Sequence, residues 1–202
     1  MLNVRDKCRV PLILLAAGES KRMGTPKQLL SYKGSNLIRH AATIAIKSNC
    51  HPIIVVLGAN SDRISPEIND LPIQMTYNTQ WQQGMSSSIA TGINTLLKMN
   101  LDFAAVIIAL GDQPLITERV YNCLIESYYQ NKVKAVACNY SDTIGVPALF
   151  DRTLLPELLK MKQKGGAKQL LLKYSDLKFN LDLPEAAIDI DTPADYQQLV
   201  KG

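Results

Sequence analysis

Five nearly continuous apolar runs recur along the first two thirds of this chain: Pro11–Leu15, Ile53–Leu57, Ile73–Tyr77, Phe103–Leu110 and Val133–Cys138. A strand with one wet face alternates apolar and polar residues, whereas runs like these suit strands buried on both faces. Helical patterns separate them. Leu37–Ala45 follows a Ser35 or Asn36 cap, Ser86–Met99 carries Ile89, Ile93, Leu96 and Leu97, and Thr117–Tyr129 has Glu118 in its first turn. This alternation predicts right-handed strand–helix–strand units, and so an α/β architecture with a mainly parallel central sheet and helices on both faces.

After residue 140 the spacing changes. A short strand is predicted over Val146–Phe150, helices around Leu154–Met161 and Ala167–Tyr174, a strand near Lys178–Leu181 and a closing helix after Thr192-Pro193. No repeat, linker or low-complexity tract divides the chain, so residues 1–202 read as one domain, with a core over about 10–140 and a cap with closing helix over about 141–202. A chain of 202 residues buries enough surface to fold without disulfides or structural metal. Its isolated Cys8, Cys50, Cys123 and Cys138, with only His40 and His51 beside them, do not spell a zinc site. The apolar run Val10–Ala17 is too short for a membrane span and lacks a signal-peptide layout, which leads to the expectation of a cytoplasmic protein.

The net charge of +4 is unevenly placed. Residues 1–34 hold seven basic side chains against Asp6 and Glu19, while Asp182, Glu185, Asp189, Asp191 and Asp195 near the end face only Lys201. Two such segments are either solvated faces of opposite sign or the two sides of one site for a polyanion and its metal ions. No basic stripe interleaved with aromatics argues for nucleic acid.

Ligands of open α/β sheets bind beyond the carboxyl ends of the strands, which directs attention to four segments. Ala16-Ala17-Gly18 follows the first strand and leads to Lys21, Arg22 and Lys27: small residues let backbone N–H groups approach a phosphate, and the cations surround it. The spacing fits neither a P-loop nor G-x-G-x-x-G, and an ordinary basic surface loop is the plainer alternative. Asp112 emerges from the most apolar strand in Leu110-Gly111-Asp112-Gln113-Pro114, as a magnesium ligand or as part of a simple capping turn. Asp189 and Asp191 would share one face of a strand, so Asp112 and Asp191 could hold one metal, whereas Asp195 already has a role in the first turn of the closing helix. Asn78–Ser88 contains Trp81, Gly84, Ser86, Ser87 and Ser88 at a helix start, where hydroxyls either meet polar ligand groups or cap the helix while Trp81 packs in the core.

In this order the segments resemble the MobA-like nucleotidyltransferases of molybdenum cofactor maturation, most closely the cytidylyltransferase (MocA-like) type. The matching stretches are Leu15 to Leu30, Asn78 to Ser88, Gly111-Asp112-Gln113-Pro114, Gly145-Val146-Pro147 and the ending Asp189-Ile190-Asp191-Thr192-Pro193-Ala194-Asp195. The resemblance implies a Rossmann-like nucleotidyltransferase fold and magnesium-dependent transfer of CMP from CTP, or of another nucleotide from its NTP, to the phosphate of a molybdopterin acceptor. It also implies a molybdoenzyme or its chaperone as downstream partner. Carried over by position, Gly18, Arg22 and Lys27 would hold the triphosphate, with Arg22, Lys27 and Asp112 counted as catalytic. Ala16, Ala17, Gly84, Ser86 and Ser88 would border the nucleotide or acceptor, and Asp112 and Asp191 would bind Mg2+. The chain departs from the family pattern at Gln163-Lys164, where Gly-Asp usually precedes the Gly-Ala-Arg/Lys turn, so the acceptor is less fixed than the chemistry. Rival readings are guanylyl or sugar-phosphate transfer and a non-catalytic nucleotide-binding module.

Overall fold

A computed structural model describes residues 9–140, 143–161, 166–174, 178–182 and 189–201. Strand β1 (Leu12–Ala16) is buried at every position and lies in register between β4 (Ile53–Leu57) and β6 (Ala105–Leu110), both parallel to it. Beyond β4 lies β5 (Gln74–Tyr77); beyond β6 come β8 (Thr143–Asp151), β7 (Ala135–Tyr140) and β9 (Lys178–Asp182), giving the order β5-β4-β1-β6-β8-β7-β9. Within this sheet, among the described residues, only β8 runs antiparallel to the strands on both its sides. Residues Ser31–Tyr32 (β2) and Ser35–Asn36 (β3) form a small separate hairpin.

Successive side chains of a strand point to opposite faces, and β1 sorts accordingly. Leu12, Leu14 and Ala16 join the cluster containing Ile38, Ala42 and Ala45 of α1 (Leu37–Lys47), Ile64 of α2 (Ser61–Ile64) and Val120, Tyr121 and Leu124 of α4 (Glu118–Asn131). Ile13 and Leu15 meet Ile89, Ile93 and Leu96 of α3 (Met85–Lys98), Leu155 and Leu158 of α5 (Leu155–Lys160), and Leu170 and Leu171 of α6 (Gly166–Lys173). The mainly parallel sheet with helices on both faces is therefore present. α3 lies close against it at Gly92, where an added Cβ would sit 2.5 Å from Cγ2 of Ile13. Of the two caps foreseen for α1, Asn36 is the one used: its side chain accepts from the N–H of Arg39 at 3.0 Å.

The chain after residue 140 contributes to the sheet itself, with β8 filling the space between β6 and β7. The closing helix α7 (Pro193–Lys201) places Tyr196 and Leu199 against Tyr32, Leu37 and the fully buried Ile190. Expected strand character at Asp189–Asp191 is absent: the segment pairs with no strand among the described residues and is held by a bond from the N–H of Ile190 to the carbonyl of Asp112, 3.0 Å. The expected alternation survives nonetheless, with Ile190 buried between the more open Asp189 and Asp191. No helix among the described residues is long and apolar enough to cross a membrane. Cys50 and Cys138 are buried and Cys123 is exposed; Cys8 and the departure at Gln163-Lys164 lie outside the described residues.

Candidate active site

A cavity of about 340 Å³ opens at the carboxyl ends of β1 and β6. Its walls come from three of the segments named above and one residue of the fourth. Ala16, Ala17, Gly18, Arg22 and Lys27 contribute after β1, Trp81, Gly84 and Ser88 at the start of α3, Asp112 after β6 and Asp191 before α7. Ser86 is the exception. It is buried in the first turn of α3 and does not line the cavity.

The loop after β1 is shaped by side chains whose importance the motif does not advertise. Ser20 adopts the left-handed conformation (φ 60°), and its Oγ accepts from the N–H of Lys27 at 3.1 Å. The buried Gln28 accepts from that hydroxyl at 3.3 Å and donates through Nε2 to the carbonyls of Ala16 (3.3 Å) and Gly18 (3.2 Å). These bonds fold residues 16–28 back on themselves and bring Lys27 to the end of β1. An added Cβ at Gly18 would meet nothing within 4 Å, so its smallness answers no packing demand inside the protein.

On the facing wall, α3 begins at Gly84 with φ 96° and ψ −174°, a conformation that favours glycine. Neither Ser86 nor Ser87 supplies a side-chain cap. Ser87 Oγ donates instead to the carbonyls of Gly84 (2.8 Å) and Gln80 (3.0 Å), and Asn78 donates to the hydroxyls of Ser87 (2.8 Å) and Ser88 (2.9 Å). Trp81 is half-buried, packed against the core on one side and exposed to the cavity on the other.

Asp112 is anchored through its neighbours, by the N–H of Gly111 on the carbonyl of Leu15 (2.9 Å) and that of Ile190 on its own carbonyl. It does not cap α4, whose cap position is Thr117. Lys27 Nζ pairs with Asp112 Oδ2 and lies 2.8 Å from Asp191 Oδ1, while Arg22 Nη2 lies 2.6 Å from Asp191 Oδ2. The basic segment near one end of the chain and the acidic one near the other thus meet, with cations and carboxylates neutralising each other. Burial by itself would lower the Lys27 pKa, but the charges and hydrogen bonds of Asp112 and Asp191 outweigh it and hold the ammonium above its ordinary value. In Asp191 burial pushes upward and the two cations prevail, keeping the carboxyl below the usual range. Asp189 behaves oppositely: burial first, then the negative charge of Asp112, push it up to about 6.

Two carboxylates so placed suit a hard divalent cation, which takes one or two carboxylates together with substrate oxygens. Asp112 Oδ1 is buried and finds no hydrogen-bond partner among the described residues, as a ligand position would. No three His, Cys, Asp or Glu side chains among the described residues converge to form a closed protein cage. His40 donates through Nε2 to the carbonyl of Pro114 (3.2 Å) and packs edge-on to Tyr32, a structural role away from the cavity.

A family model described as the MobA-like NTP transferase domain matches residues 12–177. The nicotine blue oxidoreductase of Paenarthrobacter nicotinovorans is 29% identical over 197 residues, spanning 93% of this chain and 95% of that protein. The molybdenum cofactor cytidylyltransferase of Escherichia coli is 22% identical over 188 residues, spanning 93% of each. Among solved structures, Rv0371c of Mycobacterium tuberculosis in complex with manganese superposes with a TM-score of 0.79 at 22% identity, over 96% of this chain and 99% of that one. The chain belongs to the MobA-like NTP transferase family and is a nucleotidyltransferase with a Rossmann-like fold.

Proposed function

We propose that this enzyme transfers CMP from CTP to the phosphate of a molybdopterin-type acceptor, releasing pyrophosphate, with magnesium as its divalent cation. The carrying observation is the convergence of Asp112, Asp191, Lys27 and Arg22 in one cavity beside the open face of Gly18. Asp112 and Asp191 would hold the magnesium, whose part when bound is to neutralise charge on the triphosphate. Arg22, Lys27 and the backbone around Gly18 grip and align the triphosphate. Ala16, Ala17, Gly84 and Ser88 border the nucleoside or acceptor, and Ser86 supports that wall from beneath. An acceptor phosphate oxygen attacks the α-phosphorus, forming the new P–O bond as the bond to the β-phosphate oxygen breaks and pyrophosphate leaves. Alignment and charge neutralisation are what such a transfer asks of a protein, and no protein nucleophile is needed.

The name of the Escherichia coli relative supports the donor and acceptor, and the manganese complex of Rv0371c supports a divalent cation. We place the reaction in the cytoplasm and assign residues of about 10–140 to the nucleotide and about 141–202 to the acceptor side, all within one domain. Pyrophosphate release with each of the four NTPs, with and without molybdopterin, tests the proposal. CTP with molybdopterin should be fastest and should require the metal; greater turnover with GTP, or none that depends on molybdopterin, overturns it.

A further inference from the structure

Building on that reading of the site, we propose that Lys27 is the site's resident counter-ion: without nucleotide its ammonium holds the place between Asp112 and Asp191 that a divalent cation needs, and it vacates that place by passing to the incoming triphosphate. Three of the four carboxylate oxygens are already engaged by protein cations. Lys27 holds Asp112 Oδ2 and Asp191 Oδ1, Arg22 holds Asp191 Oδ2, and only Asp112 Oδ1 is left without a partner among the described residues. The Lys27 side chain is only 11% exposed, so it is seated in the site and not waving in solvent. A divalent cation and an ammonium on the same two carboxylates would sit a few ångströms apart and repel each other. The ammonium must therefore leave before both carboxylates can serve a metal.

Lysine suits such an exchange, having a compact charge on a flexible four-carbon stem with three rotatable donors. Its backbone is fixed close to the other destination. Ser20 takes the N–H of Lys27, and Gln28 ties the next residue to the carbonyls of Ala16 and Gly18, so the stem starts beside the loop that faces the phosphates. Leaving without an anion to receive it would uncover two carboxylates together, which opposes departure. Metal and NTP should accordingly bind with positive coupling, each favouring the other by the same factor.

The test uses Mn2+ alone, titrated into the purified, nucleotide-free full chain with unbound Mn2+ followed by electron paramagnetic resonance. Lys27→Met should bind Mn2+ at least about tenfold more tightly than wild type, within the roughly 5–150-fold range of such couplings. Lys27→Gln, which still donates hydrogen bonds to the carboxylates and guards against loss of fold, should shift in the same direction. Lys98→Met removes an exposed cation in the last turn of α3, the end of that helix away from the cavity, and should change Mn2+ affinity by no more than about twofold, as screened surface charges do. Folded Lys27 variants that bind Mn2+ no better than wild type overturn the proposal, and so does an equal gain from Lys98→Met. The comparison involves neither nucleotide nor turnover, so it is decided separately from the pyrophosphate assay.

Discussion

A single carboxylate, Asp112, joins a packed strand to the chemistry. Its backbone is held by β1 through the neighbouring Gly111 and by Ile190 of the segment before α7, while its Oδ1 is buried without a partner among the described residues. Asp112→Asn keeps the shape and removes the charge, and should lower turnover in the pyrophosphate assay by about a hundredfold or more, the scale of one preorganised electrostatic element. Circular dichroism should show the fold retained. Gly18 offers the complementary experiment. Because a Cβ there meets no protein atom, Gly18→Ala should leave stability to denaturant within about 0.5 kcal/mol, as surface substitutions do. NTP affinity measured by calorimetry should nevertheless fall by about 1–3 kcal/mol, the cost of inserting a methyl into an occupied contact. Residues such as Arg22, Lys27, Asp112 and Asp191 are legible in the sequence because their charges are the chemistry. Ser20 and Gln28 are not, since a polar side chain becomes a loop clamp only through the carbonyls and amides it happens to meet.

At the scale of elements, α3 shows how a wall of the site is held in place. Asn78, at the end of β5, is buried and donates to two successive serines of the helix, while its Oδ1 accepts from the N–H of Gln80 at 2.9 Å. Asn78→Ala should destabilise the fold by about 1–3 kcal/mol, the cost of leaving buried groups unsatisfied, as read from denaturant unfolding. The positions of β1, β4 and β6 follow from sequence to within a residue or two, because burial on both faces writes itself as uninterrupted apolar residues, and those of α1, α3 and α4 follow from their one-sided apolar spacing, whereas the four-residue α2 is too short to show one. β8 is longer than its apolar run because Thr143, Gly145 and Pro147 interrupt the pattern while the neighbouring strands impose the extended shape. Asp189–Asp191 fails as a strand for the reverse reason: an alternating pattern makes no strand where no neighbouring strand supplies a ladder.

For the whole molecule, the far end of β8 carries a pH-sensitive fastening between sheet and helix. Asp151 Oδ2 accepts from Tyr128 of α4 at 2.5 Å and its Oδ1 from the N–H of Thr153 at 2.8 Å. Burial alone would raise this carboxyl, but the bonds from Thr153 and Tyr128 outweigh it and hold it below the usual carboxylate range. A group held down in the folded state stabilises above its unfolded pKa, near about 3.9 for aspartate, and the benefit fades as pH falls through the folded value. Tyr128→Phe should cost about 0.5–1.5 kcal/mol at neutral pH, the ordinary net worth of a hydrogen bond. The gap from wild type should narrow below about pH 4 as both proteins lose the ionised carboxylate. Urea melts at pH 7 and pH 3.5 measure both, and a gap that stays constant in acid would contradict the assignment.

Because β8 sits between two strands made before it, the order of synthesis and the order in space do not agree. While a nascent chain has yet to release residues 143–151, β6 and β7 each present a bare line of amides and carbonyls toward a gap that only this later segment can fill. Such edges recruit strands from other chains. A ribosome stalled in this region, or a protease cutting there early, would therefore leave a fragment that is rich in secondary structure yet adhesive, and holding chaperones would have to shield it until β8 arrives as the wedge between β6 and β7.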